Sequence, residues 1–146
     1  MITVEKAIQI ISQNIKQSSC FEEVNVSEAR NQVLFEDIKS PMDMPPFRQS
    51  AMDGYALNLH DIKQYELRGE IQAGDEAHPV LKKGEAFRIF TGAPVPDSAN
   101  AIIMQEKTSQ MNSGVLVHSQ PLKSHNIREI GEQIKKGQVA LPQGTK

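Results

Sequence analysis

The sequence predicts an α+β fold: a helical N-terminal arm followed by a β-rich body of short, coiled or barrel-like strands. Three observations lead there. Apolar residues recur at helical spacing near the start of the chain and not again. After Pro41, short extended runs separated by Gly and Pro take over. No strand–helix–strand alternation runs through the chain, which argues against a doubly wound parallel sheet. The 146 residues suit one domain, or one small domain with an appendage, and can bury a core without staples.

Residues 3–17 read as a helix, with Val4, Ala7, Ile8, Ile11 and Ile15 on one stripe, Ile10 on its flank and Thr3 as N-cap. Such a stripe needs cover from elsewhere in the chain or from a partner. Residues 21–26, FEEVNV, fit a short strand. Ser27 would cap a brief helix over SEARNQVL, and FEDIKS follows as an extended piece. YALN, YELRGEIQ, EAFRIF, AIIMQEKTSQ and GVLVHS fit strands, the last two forming a hairpin that turns at Asn112-Ser113-Gly114. NIREIGEQI and QVALP close the chain. The expected organisation is an arm over residues 1–38, a β-rich body over 39–138, and residues 139–146 returning to the arm.

Composition narrows the function. A net charge of −2, with Lys and Arg scattered and no cluster denser than a pair such as Lys135-Lys136, gives no electrostatic case for nucleic acid. One cysteine, Cys20, excludes an internal disulfide and suits a reducing compartment. His60, His78, His118 and His125 lie far apart, so no metal ligand set is expected. The start is too polar for a signal peptide, and no apolar run reaches the ~20 residues of a membrane helix. A soluble, cytoplasmic protein is expected.

Three stretches are too unusual for plain connectors. In PPFRQSAMDGYAL, residues 45–57, two prolines stiffen the approach to Asp53-Gly54. Asp53 either bonds its own backbone in a turn or is presented as a carboxylate at a cleft edge. In GEAFRIFTGAPVPDSANAIIMQE, residues 84–106, a strand runs into Thr91-Gly92-Ala93-Pro94. This is either a strand end with a turn, or a place where Gly92 lets a ligand approach the backbone and Thr91 receives an anion. In NIREIGEQIKKGQ, residues 126–138, Asn126, Arg128 and Glu132 alternate with Ile127 and Ile130. That is either a solvated strand face or one on which Arg128 clamps an anion. No Ser/His/Asp triad or catalytic thiol is arguable.

Together and in this order, the three stretches resemble the molybdopterin molybdenumtransferase family, the MoeA proteins and the homologous domain of gephyrin. PPFRQSAMDGYAL carries the SAMDGYA signature, RIFTGAPVP the TGAP block, and NIREIGEQIKKGQVALPQGT the NIR–GE–GT block. The resemblance covers essentially the whole chain. It implies insertion of molybdate into adenylylated molybdopterin, with Mg²⁺ bound mainly by a domain this chain lacks and no metal ligand in the chain itself. It implies an elongated homodimer whose site lies between the β domain of one subunit and the molybdopterin-binding domain of the other. A molybdopterin adenylyltransferase and molybdoenzyme pathway proteins are possible further partners.

Carried over by motif, Asp53 and Thr91 are catalytic, and Ser50, Gly92, Arg128, Glu132 and Gln133 are substrate-binding. Two departures matter. The third block reads Gly131-Glu132-Gln133, where the family has an acid at the last position, and Ser98-Ala99-Asn100 replaces a Gly–Ala–Asp. The chain is expected to be the N-terminal part of a longer protein, inactive alone because the molybdopterin-binding domain lies outside it. The alternative is a non-catalytic oligomerisation or scaffold module of the same family.

Overall fold

The structure is a computed structural model and describes residues 2–16, 20–75, 79–119 and 121–146. Gln17, at the end of the expected helix, and His78 lie outside these residues. The chain divides into two compact units, Met1–Asp37 with Pro142–Lys146, and Ile38–Leu141.

The first unit holds α1, Val4–Asn14. The Thr3 hydroxyl accepts from the Lys6 amide at 3.3 Å, which starts the helix, and the chain turns extended at Ile15. Among the described residues nothing covers the apolar stripe: Ile8 is 59% exposed, Ile11 54% and Ile15 67%. Residues 21–26 are not a strand, and 27–34 are not a helix. Instead, local turns run from Asn25 to Gln32, closed by bonds such as Glu28 N–H to Asn25 O at 2.8 Å, with Asn31 at φ 70°. The Phe21 and Phe35 rings stack at 4.4 Å. Within this unit the C-terminal residues return onto the 34–37 segment. Leu34 N–H donates to Thr145 O at 2.8 Å, and the Asp37 carboxylate accepts from the Gln143 amide at 2.8 Å.

The second unit is strand-rich. It comprises β1 Ile38–Lys39, β2 Gln49–Ser50, β3 Gly54–Leu57, β4 Gln64–Ile71, β5 Glu85–Ile89, β6 Ala101–Met104, β7 Thr108–Met111, β8 Gly114–Val117, β9 Ile127–Arg128 and β10 Val139–Leu141. Six strands form one curled sheet in the order β6-β3-β5-β4-β8-β7, while β1 pairs with β10 and β2 with β9. The α+β class is therefore as expected. All pairings are antiparallel except β4 with β5, so the sheet is mixed.

Burial on both faces explains why YAL and AIIM read as continuous apolar runs. Ala56, Ile89 and Ile102 pack on one face with Ile71, Leu81 and Val95. Tyr55, Leu57, Ala86 and Ile103 pack on the other with Tyr65, Val115 and Val117. The Tyr65 hydroxyl is satisfied inside this layer by donating to His60 O at 3.1 Å.

The expected single strand AIIMQEKTSQ is broken. A 3-10 turn at Gln105–Lys107 separates β6, beside β3, from β7, at the opposite edge beside β8. The β7–β8 hairpin forms, but Gly114 lies within β8 and pairs with Met111.

Candidate functional site

Register decides what meets at the end of the sheet. In β3–β5, Gly54 opposes Ile89 and Tyr55 opposes Arg88; in β3–β6, Gly54 opposes Met104. One step outward, Asp53 comes to lie beside the Phe90-Thr91 end of β5 and the Gln105 end of β6. Gly54 is required at the start of β3, because a Cβ there would collide with the Ile103 carbonyl oxygen of β6.

Asp53 does not bond its own backbone. Its Oδ1 accepts from the Thr91 amide and from the Thr91 hydroxyl, each at 2.7 Å. The anion that Thr91 receives is thus internal, supplied from 38 residues away. Among the described residues no donor reaches the other carboxylate oxygen, and Asp53 is exposed. The Thr91 amide, then its hydroxyl, hold the Asp53 carboxyl below the usual aspartate range against an opposing effect of burial, and the Arg88 charge, the weakest cause, acts in the same direction as Thr91. The side chain is an ionised acceptor with one oxygen fixed and the other facing solvent.

Behind this pair the 48–50 segment locks onto the TGAP turn. Gly92, at φ 86°, donates its N–H to Ser50 O at 2.9 Å, and its carbonyl accepts from Gln49 Nε2 at 3.2 Å. Its backbone is therefore occupied by this chain. Ser50 is fully buried, and its hydroxyl donates to Met52 O at 2.6 Å. That hydroxyl shapes the turn. Arg48 continues the lock, reaching Pro96 O at 3.3 Å and Ala99 O at 3.1 Å.

The third stretch meets the first from the other side. Arg128, half-buried on β9, stands opposite Gln49 of β2. The Glu132 carboxylate accepts from the Glu129 amide at 2.9 Å, closing the turn that follows β9. Gln133 donates its amide to Met44 O at 2.9 Å and leaves its side chain exposed. The expected alternation holds at buried Ile127 and fails at Ile130, which is 51% exposed. The structure thus joins Asp53 to Thr91 and Ser50 to Gly92 by direct bonds. It gives Arg128, Glu132 and Gln133 no bond to that pair.

Arg88, the first residue of the RIFTGAPVP block, and Gln105 stand beside the Asp53–Thr91 pair, a placement that the motif does not give. The Arg88 guanidinium donates through Nη1 to Gly54 O at 3.0 Å and through Nη2 to the Gln105 side-chain oxygen. Their signal is the strand register, which no single stretch contains.

The described residues do not fit a self-contained magnesium site. Asp53 offers one unengaged oxygen, no group of three or more His, Cys, Asp or Glu gathers among the described residues, and magnesium demands six oxygens in near-octahedral array.

Comparison with known proteins agrees with this architecture. Residues 2–146 match the family described as the MoeA N-terminal region, domains I and II. The chain is 38% identical to a molybdopterin molybdenumtransferase of Haemophilus influenzae, covering 99% of this chain and 37% of that protein. It is 30% identical to one of Staphylococcus epidermidis, covering 98% and 36%. A crystal structure of a molybdopterin biosynthesis MoeA protein of Pyrococcus horikoshii superposes with a TM-score of 0.83 at 31% identity, covering 95% of this chain and 39% of that one. The chain therefore spans little more than a third of the length of the relatives it matches, and it belongs to the MoeA family, whose N-terminal region it represents.

Proposed function

We propose that this chain is the N-terminal part of a molybdopterin molybdenumtransferase, which inserts molybdate into adenylylated molybdopterin, and that it supplies one wall of an active site shared between subunits of a cytoplasmic homodimer. One observation carries the reading: an exposed, ionised carboxylate, Asp53, held by two Thr91 donors on a stiff loop. A carboxylate kept in its charged form is suited to accept hydrogen bonds or to donate one oxygen to a cation. It is not suited to deliver a proton at neutral pH. On this reading the opposite wall is supplied by the molybdopterin-binding domain of the longer protein. Magnesium would draw most of its ligands from there.

Asp53→Ala in the full-length dimer is expected to lower molybdenum insertion about a hundredfold or more, with the fold unchanged by circular dichroism. Wild-type insertion by that variant would reduce Asp53 to a turn residue.

The scaffold reading draws on a different observation, the uncovered apolar stripe of α1 together with the neutral Gln133. It predicts a stable assembly by light scattering and no rescue of molybdoenzyme activity. Rescue by the full-length protein would set it aside.

A further inference from the structure

We propose that Arg88 is the positioning residue of this site: its guanidinium ties the ends of β3, β5 and β6 together and so fixes where the Asp53 carboxylate stands. For its catalytic meaning this rests on the function proposed above; as a statement about geometry it stands alone. Both acceptors of Arg88 flank Asp53. Gly54, whose carbonyl takes Nη1 at 3.0 Å, follows Asp53 in the chain. Gln105, whose side-chain oxygen takes Nη2, donates its own amide to Asp53 O at 3.2 Å. The fork therefore grips the residue after Asp53 and the residue bonded to its carbonyl.

Two rings hold the fork in place. The guanidinium carbon lies 5.2 Å from the Tyr55 ring centroid and 4.9 Å from that of Phe90. Phe90 immediately precedes Thr91, the donor to Asp53, so the same clamp orders both halves of the pair. A planar two-pronged cation between two π faces is a task that lysine does not reproduce. Two neighbouring carboxylates do not take the fork. Glu70 opposes Arg88 across β4–β5 but accepts from Gln72 Nε2 at 2.7 Å, and Glu106 accepts from Gln105 Nε2 at 3.3 Å. The cation is kept for backbone and amide oxygens around Asp53, and its charge adds to the ionisation that Thr91 already favours.

The test is a pH titration of the Thr91 amide resonance in this chain, because that proton sits on the Asp53 carboxylate and follows its protonation. In Arg88→Met the titration midpoint should rise, and the Thr91 amide should move upfield as its bond lengthens. In Arg88→Lys the midpoint should partly return while the amide shift does not. A folded Arg88→Met chain with the wild-type midpoint and amide shift overturns the proposal. Should Arg88→Met not fold, Gln105→Ala removes one anchor at an exposed position; a smaller shift in the same direction supports the clamp, and none overturns it. In the full-length enzyme, Arg88→Met should lower kcat for insertion about ten- to a hundredfold with KM little changed. If Asp53→Ala leaves insertion intact while the Thr91 resonance still responds to Arg88, the catalytic reading fails and the positioning role remains.

Discussion

Asp53 and Thr91 lie 38 positions apart, and the charge on one is set by the two donors of the other. Because the folded carboxyl titrates below its ordinary value, the pair stabilises the protein fully above the ordinary aspartate range. That contribution is lost as pH falls through the lower, folded value. The melting temperature of wild type should therefore exceed that of Asp53→Asn by a constant margin near neutrality, and the margin should close only in strong acid. A margin that closes between pH 5 and 7 would contradict the direction of the shift.

Gly54 shows what motif reading sees and misses. Asp-Gly reads as a turn pair, yet Gly54 is the first residue of β3, and its missing side chain makes room for the Ile103 carbonyl. Gly54→Ala should cost at least about 2 kcal/mol in chemical denaturation. Asp53, Thr91 and Gly92 were visible as candidates because they sit in stretches too unusual for plain connectors. Arg88 opens the RIFTGAPVP block, but its place beside Asp53 was not legible, since an arginine between Phe87 and Ile89 looks like any exposed strand position until Tyr55 is known to oppose it.

Among the elements, those fixed by their own residues were legible and those fixed by neighbours were not. The stripe and cap of α1 predict it closely. The strands YAL, EAFRI and AIIM follow from apolar runs bounded by Gly and Pro. Residues 21–34 fail because their local patterns are short and find no ladder or helix partner to extend them, so only turns survive. The break after AIIM is equally invisible locally, since Gln105–Lys107 bends only to carry the chain from one sheet edge to the other. Two substitutions separate buried from bare apolar residues. Ile102→Ala, fully enclosed in β6, should cost about 2–5 kcal/mol. Ile8→Ala on the open stripe of α1 should stay within about half a kilocalorie, and a larger loss by urea titration would mean the helix is covered in solution.

For the whole molecule, the three motif stretches converge because residues 44–57 serve two partners at once. Ser50 and Asp53 meet the TGAP turn, while Met44 and Gln49 meet the segment around β9. The spacing of the stretches along the chain carried the family resemblance, but only pairing showed that they share one body. That body has both of its apolar layers within Ile38–Leu141. A chain cut to residues 38–141 should therefore unfold in one cooperative transition by calorimetry, with the Thr91 amide retaining its carboxylate-bonded shift.

The pairing of β1 with β10 sets Ile38 directly opposite Leu141. The first and last residues of the larger unit thus stand side by side, at a separation of about 5 Å typical of facing strand residues. A segment whose ends meet is a cassette. It can be lifted out of one chain and grafted into a surface loop of another without stretching the host, because the host sees only a gap the width of a hairpin. The smaller unit is made of the two pieces of chain that flank this segment, so in sequence the carboxylate-bearing body is an insert within it.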